Sequence, residues 1–124
     1  MTRIVCISDT HNRQESFDVP EGDLLIHAGD LTGRGTEAEV EAAVEWLESL
    51  PHRDKILIAG NHDFYFEREN ARARALVREA VYLQDSEITV QGLRIWGSPW
   101  QPWFGDWAFN LPRGQKLHEK WERI

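Results

Sequence analysis

Residues 4–11 read Ile-Val-Cys-Ile-Ser-Asp-Thr-His, residues 24–30 read Leu-Leu-Ile-His-Ala-Gly-Asp, and residues 55–63 read Lys-Ile-Leu-Ile-Ala-Gly-Asn-His-Asp. Each is a short, nearly continuous apolar run that breaks into a polar cluster. An uninterrupted apolar run suits a strand covered on both faces, as in a layered α/β fold. The reading places strands over 4–8, 24–28 and 55–59. Between the second and third, Thr36 with Glu39 fits a capping box, and Val40, Val44, Leu47 and Leu50 share one helical stripe that Pro51 stops. Strands alternating with crossovers predict a parallel or mixed sheet with helices packed on it.

Working outward, residues 67–79 predict a second helix, rich in Ala and Arg. Residues 88–90 and 93–96 flank Gln91-Gly92 and predict a hairpin. Residues 98–110 are rich in Pro, Trp and Gly and predict a structured loop. Residues 113–123 predict a final helix. The whole is read as one domain over 1–124.

Composition narrows the function classes. The chain has 124 residues, 41% hydrophobic and 28% charged, with a net charge of −7. That charge repels a phosphate backbone, and the arginines at 68, 72, 74 and 78 are interleaved with glutamates, so nucleic-acid binding is disfavoured. A single cysteine, Cys6, allows no intrachain disulfide. Its place in an apolar strand predicts a small buried hydrophobe. No apolar stretch is long enough to span a bilayer and no signal-peptide pattern opens the chain, so a cytoplasmic setting is expected. Neither a Gly-x-x-x-x-Gly-Lys loop nor a Gly-x-Ser-x-Gly elbow occurs, which excludes those two hydrolase classes at the motif level.

The chemistry lies in the polar clusters. In an open α/β sheet the carboxyl ends of parallel strands line one edge, where ligands bind. Asp9, His11, Asp30, Asn61 and His62 should therefore converge. Taken singly, Asp-x-His, Gly-Asp and Gly-Asn-His-Asp are turn compositions. Together, each directly after an apolar strand, they form a donor set for borderline divalent metals. Two cations sharing a bridging carboxylate can clamp a phosphoryl group and generate hydroxide from water.

The series Asp9-x-His11, Gly29-Asp30 and Gly60-Asn61-His62-Asp63 resembles the opening signature of the calcineurin-like metallophosphoesterases. Residues 97–103 and 109–114 are similar to one branch, which includes the vertebrate brain metallophosphoesterase-domain-containing proteins and bacterial relatives, small phosphodiesterases of which some act on cyclic nucleotides. The resemblance implies a metallophosphoesterase-like layered sheet with flanking helices. It implies that Asp9 and His11 hold a first metal, that Asp30 bridges, and that Asn61 holds a second. It gives His62 the leaving-group oxygen and Asp63 the task of orienting His62. Manganese is the first expectation for the metal, with iron, zinc or magnesium as alternatives, at one or two ions per chain.

The family's later His ligands and its Gly-His-x-His motif have no counterpart among His11, His27, His52, His62 and His118. The resemblance therefore implies the front portion of the family fold: a natural short form, a fragment or one part of a split protein. The expected activity is hydrolysis of a small phosphate ester or cyclic nucleotide by metal-hydroxide attack. Two alternatives stay open. One is a catalytically impaired metal-binding or scaffolding module. The other is a self-associating or complemented enzyme, in which a second copy or another chain covers an apolar sheet edge. Of the remaining histidines, His27 reads as packed within its strand, while His52 and His118 read as surface residues. The aromatic cluster at 96–109 reads as packing, with a stacking wall beside the metals as the minority view.

Overall fold

A computed structural model describes residues 1–124. Its centre is a four-stranded, all-parallel sheet in the order β1 (Ile4–Ile7), β2 (Leu24–His27), β3 (Asp54–Leu57) and β4 (Val81–Tyr82). The register pairs Ile4 with Leu24 and Leu24 with Asp54, so the first three strands end level with one another. The expected α/β architecture is present.

Alternate residues of the sheet face two different covers. On one face, Val5, Leu25, Leu57 and Ala59 join Val40, Ala43, Val44 and Leu47 of α1 (Glu37–Ser49), Phe66 of α2 (Phe64–Arg68) and Ala73 of α3 (Asn70–Leu76). Thr36 and Glu39 form the anticipated reciprocal capping box at the start of α1. On the other face, Leu24, Ile56 and Leu83 meet Ile88, Val90, Leu93 and Ile95. Those residues belong to the antiparallel hairpin β5 (Ser86–Val90) and β6 (Leu93–Gly97), as the Gln91-Gly92 turn predicts.

The structure corrects several expectations. The helix anticipated over 67–79 is two helices, α2 and α3, which break at Glu69 (φ −126°, ψ 52°). The Asn70 amide donates to the Phe66 carbonyl at 2.8 Å, offering that carbonyl a side-chain partner in place of the helical ladder. The break also lets Phe66 stack on Tyr82, with centroids 4.4 Å apart. The 98–110 stretch contains β7 (Gln101–Pro102), paired in parallel with β8 (Asn110–Leu111). The last helix is α4 (Gln115–Trp121). Cys6 is exposed, because β1 is an edge strand whose Ile4–Cys6 face lies beyond the hairpin. His52 is buried, donating from Nε2 to the Pro20 carbonyl at 2.9 Å. His118 is on the surface as expected, 2.9 Å from Glu122. No helix is long and apolar enough to cross a membrane.

Candidate metal centre

The polar clusters sit just past the level ends of β1, β2 and β3. Beyond β1 the chain keeps bonding to the segment after β2. The amides of Asp9, His11 and Asn12 donate to the carbonyls of Gly29, Asp30 and Leu31 at 3.0, 3.1 and 2.9 Å. Asp9, His11, Asn12 and Asp30 all hold left-handed backbone, with φ between 44° and 59°. Non-glycine residues seldom adopt it, and Asp, Asn and His tolerate it best. The residue types at these positions thus suit the turn. Gly60 serves the same approach from β3, since a Cβ there would collide with the carboxylate and amide of Asp30.

The turns bring Asp9, His11, Asp30 and His62 together. His11 Nε2 lies 3.6 Å from Asp9 Oδ1 and 4.0 Å from Asp30 Oδ2. The His62 amide donates to Asp30 Oδ1 at 2.9 Å. Ligand atoms of His11, Asp30 and His62 all fall within 4.8 Å of one another. Both imidazoles are held in one tautomer: His11 Nδ1 donates to the Thr32 carbonyl at 3.1 Å and His62 Nδ1 to the Gly33 carbonyl at 2.9 Å. That leaves both Nε2 atoms unprotonated; His11 Nε2 faces both carboxylates, the arrangement of a metal-ligating histidine with its backbone partner. The Ser8 hydroxyl, first among several influences, holds the Asp9 carboxyl below its ordinary range. Asn61 lends its backbone carbonyl to the Ala108 amide at 2.9 Å. The His11, Asp30 and His62 ligand atoms, with Asp9 beside His11, fit a divalent cation. The centre opens into a cleft of about 410 Å³.

Beneath these groups lies a fully buried layer. Asp63 accepts from the amides of Leu31, Thr32 and Gly60 and from the Thr32 hydroxyl, at 2.7–3.2 Å. Burial pushes its carboxyl up, against the pull of those donors. The expected role of Asp63 in orienting His62 is therefore corrected: Gly33 orients the ring, and Asp63 clamps the loops after β2 and β3 together. Thr32 also donates to the His62 carbonyl at 3.2 Å. His27 Nδ1 accepts from the Gly29 amide at 3.2 Å, so its Nε2 carries the proton and donates to the Thr10 hydroxyl at 2.9 Å. Burial lowers the His27 pKa to about 4.

Sequence reasoning missed four contributors: Thr32, Arg13, Phe17 and the specific place of Trp107. The Trp107 ring lies 4.4 Å from the His62 ring, which also meets the His11 ring at 4.6 Å. The cluster of tryptophans was visible in the sequence, but not which one reaches the centre. Arg13 and Phe17 line the cleft. Their position in the loop that leaves Asp9 and His11 was the available signal.

The chain matches the calcineurin-like phosphoesterase family over residues 2–122. It is 48% identical to metallophosphoesterase domain-containing protein 1 of Homo sapiens and of Mus musculus, over 99% of this chain and 45% of each relative. It is 40% identical to a UPF0046 protein of Caenorhabditis elegans, over 98% of this chain and 49% of that one. The chain thus spans about half the length of these relatives. A match running nearly end to end, over the very loops that gather two imidazoles and two carboxylates at one sheet edge, makes this chain a member of the calcineurin-like phosphoesterase family.

Proposed function

We propose that the centre hydrolyses a phosphodiester, with manganese as the resident cation. The observation that carries the reading is the gathering of His11, Asp30 and His62 within 4.8 Å of one another, with Asp9 3.6 Å from His11 and both imidazoles fixed as Nδ1–H tautomers. Asp9, His11 and Asp30 would hold one cation, and Asp30 with Asn61 a second. When bound, the metal polarises the phosphoryl oxygens and activates the attacking water.

The chain's own residues supply the rest. Asp30 is buried and its Oδ1 is tied to the His62 amide, so its carboxylate enters the reaction already oriented. His62 keeps Nδ1–H on the Gly33 carbonyl while Nε2 takes a proton from bulk water before the reaction and delivers it to the departing alkoxide. Asp63 and Thr32 keep the backbone of His62 in place. Metal content after purification, followed by turnover of bis-p-nitrophenyl phosphate with added Mn²⁺, tests the reading. Mn²⁺-dependent release of p-nitrophenolate is the expected result, and His62→Ala should slow hydrolysis of an alkyl phosphodiester more than that of this ester, whose leaving anion needs no proton. Metal binding with no turnover of any phosphate ester would replace it with a metal-binding module.

A further inference from the structure

The geometry points to Arg13 and Phe17 as the substrate-selecting pair of this centre, which take a phosphate ester whose ester group is a flat aromatic ring. The inference rests on the phosphoesterase reading and deepens it.

Arg13 and Phe17 line the same cleft as Asp9, His11 and His62, where Arg13 is the only cationic and Phe17 the only apolar side chain. Neither is used by the fold. The Arg13 guanidinium makes no ion pair, hydrogen bond or ring contact, unlike Arg74, Arg94, Arg113 and Arg123. Phe17 is 44% exposed and has no place in either apolar cluster and no aromatic neighbour. Both backbones are nevertheless pinned. The Arg13 amide donates to the Thr10 carbonyl at 2.7 Å, the Ser16 amide to the Arg13 carbonyl at 2.9 Å, and the Phe17 amide to the Gln14 carbonyl at 3.1 Å. Thr10 is itself fully buried. The two side chains thus project from a single short turn anchored beside the ligands.

In a chain of net charge −7, an anionic substrate entering a cleft that already holds carboxylates needs a local cation. A free guanidinium offers two parallel N–H donors that match two phosphoryl oxygens. A phenyl ring left in water gains from covering by a flat apolar group, and most from another ring. Charge at one position and an aromatic face four residues on select a compact anion with an aryl group attached.

Calorimetric binding of phenylphosphonate and methylphosphonate to the Mn²⁺-loaded protein tests this without turnover. Phenylphosphonate is expected to bind about tenfold tighter. Phe17→Ala should bring the ratio to within about twofold, whereas Arg13→Ala should weaken both ligands about tenfold and leave the ratio. Both positions are exposed, so unchanged melting temperatures verify the fold. Equal affinity for the two phosphonates, no binding of either, or indifference to both substitutions would overturn the pair. Turnover of bis-p-nitrophenyl phosphate, run alongside, separates the two readings. Turnover without a phenyl preference sinks the pair and leaves the phosphoesterase. Phenyl-selective binding that needs both residues, with no turnover, sinks the phosphoesterase and leaves the pair.

Discussion

Asp9 and Asp63 stand in one centre under opposite conditions. The Asp9 side chain is 63% exposed and faces His11 across 3.6 Å, while Asp63 is wholly buried beneath four donors. The first belongs to an open layer of proposed ligands on strained turns; the second belongs to a closed layer that holds those turns together. The contrast teaches how the centre tolerates left-handed backbone at Asp9, His11, Asn12 and Asp30. Such backbone persists where its surroundings over-determine it. Here the ladder from Asp9 to Leu31 and the Asp63 clamp supply that constraint. Substitutions in the closed layer should therefore cost stability, and those in the open layer should cost binding.

The largest effect is expected from Asp63→Ala. It leaves the amides of Leu31, Thr32 and Gly60 and the Thr32 hydroxyl without their acceptor. Each orphaned buried donor costs about 1–3 kcal/mol, less where water enters, so a loss of about 3–5 kcal/mol is expected. Urea unfolding measures it. A loss below about 1 kcal/mol would show that the two loops hold together without the clamp.

The second effect is a pH dependence. His27 is neutral in the fold, with a pKa of about 4 against 6.5 for an unperturbed imidazole. Because the folded value is depressed, its contribution to stability is whole above pH 6.5. It is lost as pH falls from 6.5 through 4, when the unfolded chain takes up a proton that the fold refuses. The loss approaches ~3 kcal/mol below pH 4. Comparing the pH dependence of unfolding for the wild type and His27→Gln isolates it. Parallel curves between pH 6.5 and 4 would mean that the imidazole finds a way to charge in place.

In the open layer, Asp30→Asn should reduce Mn²⁺ affinity on the order of a hundredfold, because it removes the charge both proposed cations share. Asn61→Ala removes a neutral donor from one of them, and about tenfold is expected. Both variants should unfold within about 1 kcal/mol of the wild type. Equal losses of metal would end the bridging role of Asp30, and a collapse of stability would erase the distinction between the layers.

What the sequence disclosed follows the same division. The convergence of the open layer was legible because each polar cluster follows an apolar run within a few residues, and level parallel strands bring such ends together. Thr36 and Glu39 were legible because a capping box spans four positions. The closed layer was not, since Asp63 meets Thr32 across 31 residues and no local pattern reports that pairing. The partner assigned to Asp63 was its sequence neighbour, His62, whereas the fold gives His62 to Gly33. Cys6 and His52 were misplaced for a related reason. An apolar run does not say whether its strand lies at the sheet edge, and a histidine after a helix stop does not say what packs over it.

The smallest effect lies within β1, which carries both conditions on adjacent residues. Val5 is 8% exposed and belongs to the helix-covered cluster, while Cys6 points to the uncovered face. Val5→Ala should cost about 2 kcal/mol, since it removes buried methyl groups from a packed site. Cys6→Ser exchanges one small exposed group for another and should stay within about 0.5 kcal/mol. The thiol supplies a direct readout of the same face. In native protein Cys6 should react fully with a thiol-specific reagent at the rate of a small exposed thiol, with no denaturant needed, because it is exposed at the sheet edge. Reaction only after unfolding would mean that the Ile4–Cys6 face is covered in solution. Its dependence on protein concentration would then tell whether a second copy does the covering, because self-association protects more of the thiol as concentration rises.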